Sequence, residues 1–253
     1  MSHHIVEATN LSYAYPDGTR GISEISFRIT HGESVTLAGA NGAGKSTLLL
    51  HLSGCMLPAA GTVRIGDATM TKRSLPQVRR AVGMVFQDPD DQLFMPTVIE
   101  DVAFGPLNLG MSEEEAVRKA EEVLRTVGAV HLKDRPPYKL SGGEKRAVSI
   151  ASVLALSPDI LLMDEPSSNL DARSRRRLIT LLRSFAHTKI IATHDLDLAF
   201  EVCERVILLR DGRIAADGPA ADILTDGDLL ATCGLEMPLR LQSCPVCGRK
   251  KID

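Results

Sequence analysis

The sequence predicts an α/β fold with a mostly parallel sheet. Short apolar runs recur along the chain, and amphipathic helical patterns separate many of them. Strands that are buried on both faces of a parallel sheet read as continuous apolar runs, so these segments suit such a sheet. The predicted strands are Ile25–Ile29, Ser34–Ala38, Val63–Ile65, Val82–Phe86, Ile160–Met163, Lys189–Ala192 and Val206–Leu209.

Helices are predicted where apolar residues recur at helical spacing. Lys45–Leu52 places three leucines on one side, and Ala172–Ala186 carries a longer stripe made of Leu178, Leu181, Leu182 and Phe185. The arginines of this second segment are interpreted as a solvated face. They are Arg173, Arg175, Arg176 and Arg177.

Residues 90–155 differ from the rest because they contain no convincing strand pattern. Ser112 and Glu115 form a capping box, which predicts the start of a helix. Gly128 suits the position just after the end of that helix. We interpret this segment as a helical insertion within the α/β domain, and the chain after about Thr225 as an irregular tail.

Composition excludes several classes of protein. The chain has 253 residues, 44% of them hydrophobic, and a net charge of −3. The chain as a whole is therefore not a basic nucleic-acid binder, which leaves only a local basic patch open. It has no Trp, which argues against a base-stacking platform. No apolar run approaches the roughly 20 residues of a membrane span, and no signal peptide is recognised. Five cysteines do not make a disulfide framework, and a reducing cytoplasm is expected.

One motif predicts a phosphate-binding loop between the strand Ser34–Ala38 and the helix that follows it. The pattern is G-x-x-x-x-G-K-[ST], and its glycines let backbone N–H groups approach phosphate oxygens. The lysine reaches the β- and γ-phosphates, and the hydroxyl after it can bind Mg²⁺. The competing interpretation is a chance match. The residues assigned to nucleotide binding here are Gly39, Ala40, Asn41, Gly42, Ala43, Gly44, Lys45, Ser46 and Thr47.

A pair of carboxylates follows the apolar strand Ile160–Met163. Because ligands bind at the carboxyl edge of such sheets, Asp164 is predicted to hold Mg²⁺ there. Glu165 is predicted to act as the general base that activates water. The alternative is a strand that ends in two solvated acids.

Leu140-Ser-Gly-Gly-Glu144 lies between these two motifs. Together, in this order and spacing, the three motifs resemble those of the ATP-binding subunits of ABC transporters, over about residues 4–225. The resemblance implies a P-loop ATPase fold with an N-terminal antiparallel β part. It divides the chain into a nucleotide-binding core (1–89 and 156–226), a helical subdomain with the signature motif (90–155) and a C-terminal tail (227–253).

The resemblance assigns further residues to the nucleotide site. Tyr15 corresponds to the aromatic residue that stacks on adenine, with Tyr13 as the competing candidate. Gln87 corresponds to the Q-loop glutamine, which contacts Mg²⁺ and the attacking water. His194 corresponds to the switch histidine, which contacts the γ-phosphate. Ser168–Asp171 resembles the D-loop, and Asp171 is also predicted to cap the following helix.

In this family the signature residues complete the site of a second subunit. Ser141, Gly142 and Gly143 are therefore expected to bind the γ-phosphate of ATP held by the other chain. Two chains would enclose two ATP molecules with Mg²⁺, and a symmetric homodimer would have two competent sites.

The sequence also resembles one subfamily of these ATPases in particular. Residues 86–94, 96–98 and 101–110 are similar to the ATPases of energy-coupling-factor importers, most of all the branch that imports cobalt or nickel. The vitamin-importing branch shares most of these residues. The resemblance implies a transmembrane coupling subunit, a substrate-binding membrane subunit and a peripheral location at the cytoplasmic face of the membrane. Asp88, Asp90 and Asp91 are predicted to pair with arginines of the partner, or to be solvated.

Two other classes of protein compete with this interpretation. A non-transport ABC ATPase would need a long coiled-coil insertion or a second cassette, and this chain has room for neither. A P-loop kinase or GTPase would lack the signature motif, and the guanine-reading Asn-Lys-x-Asp element is absent from the sequence.

Cys244-Pro-Val-Cys247-Gly near the end of the chain is not required by the transporter resemblance. The pair resembles one half of a zinc ribbon, whose site needs four ligands. Cys233, or the same pair from a second chain, is a candidate for the remainder. The alternatives are a thiol pair that binds cobalt or nickel, a reversible disulfide, and a tail without a ligand.

Overall fold

The computed structural model describes residues 6–242, which form two sheets and the helices around them. The strands are β1 (Val6–Ala14), β2 (Arg20–Ile29), β3 (Ser34–Ala38), β4 (Ala60–Ile65), β5 (Ala68–Thr69), β6 (Val82–Val85), β7 (Ile160–Asp164), β8 (Thr188–Thr193), β9 (Arg205–Arg210) and β10 (Arg213–Pro219). The helices are α1 (Lys45–Leu52), α2 (Leu75–Ala81), α3 (Val98–Asn108), α4 (Glu113–Thr126), α5 (Gly142–Leu154), α6 (Ala172–Ser184), α7 (Leu196–Val202), α8 (Ala220–Ile223) and α9 (Gly227–Thr232).

The larger sheet confirms the predicted parallel architecture. Its strand order is β10-β9-β3-β8-β7-β6, and only β10 runs antiparallel to its neighbour. The strands β3, β7 and β8 are buried along their whole length, as their apolar sequences predicted. The register pairs Ala38 with Thr193 and Asp164 with Ala192. The ends of three strands therefore meet at one edge of the sheet.

The second sheet is antiparallel, in the order β2-β1-β4-β5, and confirms the N-terminal antiparallel part. It shares one core with α1 and the larger sheet, and this core includes Leu11, Ile25, Leu37 and Leu49. The sequence analysis did not predict β1 or β10. Polar residues interrupt the apolar ones along β1, and intermediate and exposed residues alternate along β10, so neither strand carries a continuous apolar run.

Helices α3, α4 and α5 pack on one another around their own core, which includes Val102, Leu124 and Val148. No strand lies between residues 90 and 155. The capping box is confirmed, since the Ser112 amide donates to Glu115 Oε2 over 3.0 Å, and Gly128 has a φ of +73° after the helix end. Across residues 6–242, no helix is both long and apolar enough to cross a membrane.

The arginines of α6 do not form a uniform solvated face. The Arg175 side chain is only 25% exposed, and it binds Asp195 through two nitrogens, each over 3.2 Å. Arg175 and Arg176 also pair with Glu201 on α7. The prediction was wrong for Arg175 because its partners lie far along the chain. Arg173 and Arg177 are exposed, as predicted.

The chain after Thr225 contains a helix, α9, which corrects the prediction of an irregular tail. Helix α9 buries Leu230 completely, and Cys233 after it is 5% exposed. Both pack with residues of β3, β9 and α7. Farther on, the Leu239 and Arg240 amides donate to the Asp197 carboxylate. This segment therefore belongs to the folded core.

Leu230→Ala is expected to lower the free energy of unfolding by about 2–5 kcal/mol, because it leaves a cavity in a packed core. Leu239→Ala serves as the matched control: this leucine is 71% exposed, and its truncation should change stability by no more than about 0.5 kcal/mol. Urea unfolding followed by circular dichroism measures both. Equal effects of the two substitutions would contradict a structural role for α9.

Candidate active site

The phosphate-binding loop connects β3 to α1 at the carboxyl edge of the sheet. Its glycines are required by close packing. A Cβ on Gly39 would lie 2.6 Å from the Leu209 carbonyl oxygen, and one on Gly44, at φ +101°, would lie 2.6 Å from the Gly21 carbonyl oxygen. No side chain caps the start of α1, and its first turn contains no acid. The helix N-terminus thus remains available to an anion.

Lys45 begins α1 and turns its side chain back over the loop. The side chain is 6% exposed, and Nζ donates to the carbonyl oxygens of Gly39 (2.7 Å) and Ala40 (3.1 Å). The same ammonium lies 3.6 Å from Glu165 Oε1. The positive charge is therefore held at the mouth of the loop, where a phosphate of a nucleotide would lie.

Asp164 ends β7 beside Ser46, the residue after the lysine. It is 5% exposed, and its Oδ1 has no hydrogen-bond partner among the described residues. Burial raises the pKa of this carboxyl, while the Ser46 hydroxyl and Lys45 oppose that shift. A buried oxygen without a partner, next to a hydroxyl, suits a hard cation such as Mg²⁺. The residues present thus fit the magnesium ion that this class of site implies.

Glu165 follows Asp164 and is likewise buried, at 6% exposed. Its Oε2 accepts from the Thr193 hydroxyl over 3.0 Å, and its Oε1 lies 2.9 Å from His194 Nδ1. The His194 amide also donates to Oε1, over 3.2 Å. The alternative of two solvated acids does not describe this arrangement, because both carboxylates are buried at the sheet edge.

Thr193 was missed by the sequence analysis. It is fully buried at the end of β8, and its oxygen accepts from the Asp195 amide over 3.0 Å. The hydroxyl proton is therefore free to be donated to Glu165. A hydroxyl residue directly before the histidine, at the end of a buried strand, was the available signal.

Gln87 lines a cavity of about 650 Å³ together with Ser46 and Asp164. The backbone of its loop is held by α5. Arg146 is 4% exposed and donates to the carbonyl oxygens of Phe86 (2.7 Å) and Gln87 (2.5 Å). Gln92 donates to the Ser149 carbonyl oxygen over 2.7 Å. The loop and the start of α5 are thus joined by side-chain hydrogen bonds that the sequence analysis did not predict.

The acidic residues of this loop are partly neutralised within the chain. Asp90 binds the Lys145 ammonium at 2.6 and 2.8 Å, and Asp88 Oδ1 accepts from the Asp90 amide. Of the three carboxylates expected to meet a partner's arginines, Asp90 is therefore already paired within this chain.

The two tyrosines near the N-terminus occupy different environments. Tyr13 packs against the main core and against His51, with the ring centroids 4.9 Å apart. Tyr15 lies edge-on to Tyr13, and its hydroxyl is 2.8 Å from Thr47 Oγ1, beside the phosphate-binding loop. This geometry favours Tyr15 over Tyr13 as the residue that meets a base.

The signature residues begin α5. The Ser141 amide and hydroxyl both donate to Glu144 Oε2, each over 2.8 Å, which completes a capping box. Gly142 lines the cavity of Ser46 and Gln87, whereas Ser141 and Gly143 line a separate cavity beside α6. Asp171 caps α6, as predicted, because its Oδ1 accepts from the Ser174 amide over 2.8 Å.

Cys244 and Cys247 lie outside the described residues. Cys233, the candidate third zinc ligand, is buried in the core around α9. Between residues 6 and 242, no group of three or more His, Cys, Asp or Glu side chains is arranged to hold a metal ion. The described part of the chain therefore offers no support for a zinc site.

Fold and site together define a P-loop ATPase with an additional helical layer. The family described as ABC transporter matches residues 22–168, and this chain belongs to that family. A protein of Geobacter sulfurreducens with a provisional name, ABC transporter ATP-binding protein, is 62% identical over 98% of this chain and 100% of its own. The cobalt import ATP-binding protein CbiO of Rhodobacter capsulatus is 47% identical over 93% of this chain and 86% of its own length.

Solved structures agree with this assignment. CbiO1 of Clostridium perfringens, described as part of the CbiONQ transporter complex, superposes with a TM-score of 0.79 at 33% identity, over 91% of this chain and 94% of that one. The dimeric cassette MJ0796, bound to ADP and Pi after hydrolysis, superposes with a TM-score of 0.78 at 30% identity, over 85% of this chain and 98% of that one. The chain is an ATP hydrolase, the ATP-binding subunit of an ABC transporter.

Asp164→Asn is expected to raise the free energy of unfolding of the nucleotide-free protein by about 1–3 kcal/mol at neutral pH, since it removes a buried, incompletely paired charge. The pKa of Asp164 is raised on folding. The gain in the free energy of unfolding should therefore disappear below the ordinary pKa of aspartate, where Asp164 is protonated in both the folded and the unfolded protein. It should grow as the pH rises and the carboxyl loses its proton. Denaturant unfolding at several pH values measures it.

The same substitution should abolish the added stability that Mg²⁺ gives the ATP-bound protein, because a neutral amide is a weaker ligand. Asp171→Asn is the control, since asparagine caps a helix about as well as aspartate. A loss of stability in Asp164→Asn at neutral pH would show that the carboxylate is well compensated, contrary to this interpretation.

Proposed function

We propose that this chain drives uptake of cobalt or nickel as the ATPase of an energy-coupling-factor importer. The observation that carries the proposal is the loop from Phe86 to Phe94 with α3 after it, which resembles that class of ATPase and presents an exposed apolar surface. Similarity to the Rhodobacter capsulatus protein named for cobalt import supports the same cargo class.

The proposed roles of the site residues follow from their positions. Residues 39–47 hold the phosphates of ATP, and Tyr15 contacts the adenine. Ser46, Gln87 and Asp164 hold Mg²⁺, which would screen the phosphate charge. Glu165 accepts a proton from the attacking water, and His194 contacts the γ-phosphate.

We further propose that hydrolysis requires a homodimer. Ser141 and Gly143 line a different cavity from Ser46, Gln87 and Asp164 in one chain, which supports their use by a second chain. The hydrogen bonds from Arg146 and Gln92 to neighbouring segments would make α5 and the Q-loop move together when the dimer closes.

The surface proposed to meet the membrane partner consists of apolar side chains on and beside α3. Phe94 is 66% exposed, and its ring lies 5.0 Å from that of Phe104 in an edge-to-face arrangement. A clustered apolar surface of this kind marks an interaction site. Leu107, Leu109 and Met111 are also exposed. We propose that a transmembrane coupling subunit binds here, so that the chain is peripheral at the cytoplasmic face, while a separate membrane subunit binds the cargo.

Co-purification with membrane proteins tests the proposal. The chain, expressed at native level, should bring down two integral membrane proteins, and cells should take up labelled cobalt or nickel in a manner that depends on it. Phe94→Asp should remove co-purification but keep the ATPase of the isolated chain. Uptake of labelled vitamins instead would assign the other importer branch, and capture of no membrane protein would contradict the proposed membrane partners.

A zinc ion bound by Cys244 and Cys247 stays a prediction. Metal analysis of untagged protein, purified without chelator, measures it. Metal content that is unchanged in the double variant Cys244→Ser with Cys247→Ser would contradict the predicted zinc site.

A further inference from the structure

A second cavity lies between the helical layer and α6, apart from the loop that holds Lys45. Its volume is about 550 Å³, within the range of pockets for small molecules. One wall is α5, with Ala147 and Ile150. The opposite wall is α6, with Arg177 and Leu181. The end of α4 and the turn after it close the third side.

The body of this cavity is apolar. Six aliphatic side chains line it, and small residues such as Ala147 and Gly128 leave the space between the walls open. Water in such a space gains few hydrogen bonds, so an apolar group is the favoured occupant. The aliphatic residues are Val127, Leu132, Ile150, Leu170, Leu178 and Leu181.

The polar part of the lining is strongly basic. Four arginines and His131 line the cavity, against a single acid, Glu144. Glu144 already has hydrogen-bond partners, since its carboxylate accepts from the Ser141 amide and hydroxyl. Two of the arginines form ion pairs: Arg125 pairs with Glu121, and Arg176 pairs with Glu201.

The remaining two arginines have unused hydrogen-bond donors. Within residues 6–242, Arg177 forms neither an ion pair nor a hydrogen bond. Arg146 is 4% exposed, and its Nε has no partner among the described residues. A buried donor without an acceptor is costly, and a guanidinium binds planar anions through paired hydrogen bonds. The basic lining therefore favours an anionic group beside the apolar space.

We infer that this cavity binds a small amphipathic carboxylate, with its apolar body between α5 and α6 and its carboxylate at Arg177 and Arg146. Lys45, Asp164 and Glu165 do not line this cavity, whereas Ser141 and Gly143, which are proposed to meet ATP held by a second chain, are part of its lining. The inference does not depend on the transported cargo or on the membrane partner.

Decanoate is a suitable probe, and isothermal titration calorimetry of the full chain measures its binding. The wild type should bind one molecule per chain. Arg177→Glu should weaken binding by about tenfold or more, because it removes a charge-assisted hydrogen bond and adds repulsion. Decanol, which has the same body without the charge, should bind weakly to both proteins.

Arg173→Glu is the matched control. Arg173 is an exposed arginine on the same helix, one turn earlier, and it does not line the cavity. This substitution makes the same change in net charge and should leave the affinity unchanged. Thermal unfolding of both variants verifies that they are folded. No saturable binding of decanoate, or equal weakening by the two substitutions, would overturn the inference, since decanoate would then bind elsewhere or respond only to net charge.

Discussion

Glu165→Gln is expected to remove ATP turnover while ATP binding is retained. The amide keeps the size of the side chain and can keep its contacts with Thr193 and His194, but it cannot accept a proton from water. Loss of a general base typically lowers the rate by about 10²–10⁴-fold. Steady-state release of phosphate and equilibrium binding of a labelled nucleotide measure the two properties separately.

The same variant should accumulate as a dimer with ATP, because the closed, ATP-bound dimer reopens only when ATP is hydrolysed. Size-exclusion chromatography with and without Mg²⁺-ATP would detect it. Glu122→Gln, on the exposed side of α4 with 68% of the side chain accessible, is the control and should retain wild-type turnover. Near-normal hydrolysis by Glu165→Gln would remove Glu165 from its proposed role.

Mixing two inactive variants is expected to restore ATPase activity. Lys45→Ala removes the ammonium at the mouth of the phosphate-binding loop and should weaken nucleotide binding. Ser141→Arg places a large side chain at the start of α5, where the partner's γ-phosphate is proposed to lie. Each variant alone should be nearly inactive, since every site of its homodimer carries the defect.

In a mixed dimer, one site combines both defects and the other site contains neither. If subunits exchange freely in an equimolar mixture, half of the dimers are mixed, and about a quarter of all sites are intact by symmetry. Activity should rise toward that fraction on mixing. The double variant, with both substitutions in one chain, is the control and should gain nothing when mixed with either single variant. Absence of recovery despite proven exchange would contradict a site shared between two chains.

The success of the fold prediction varied with the kind of element. Strands β3, β7 and β8 were predicted because they are buried on both faces and therefore consist of continuous apolar residues. Strand β10 was missed because it lies at the edge of the sheet, where its sequence needs no such run. Helix α9 was missed because it is short and only Leu230 of its residues is buried.

By itself, the sequence determined the class of protein and the residue types of the site, because close backbone approach to phosphate demands glycines, a lysine and a hydroxyl at a set spacing. Which groups contact one another was decided by the tertiary structure. Thr193 reaches Glu165 only because β7 and β8 are parallel neighbours, and Arg175 is partly buried and paired only because α7 packs against α6. Such contacts join residues that are distant in the chain, and local pattern carries no information on their separation in space.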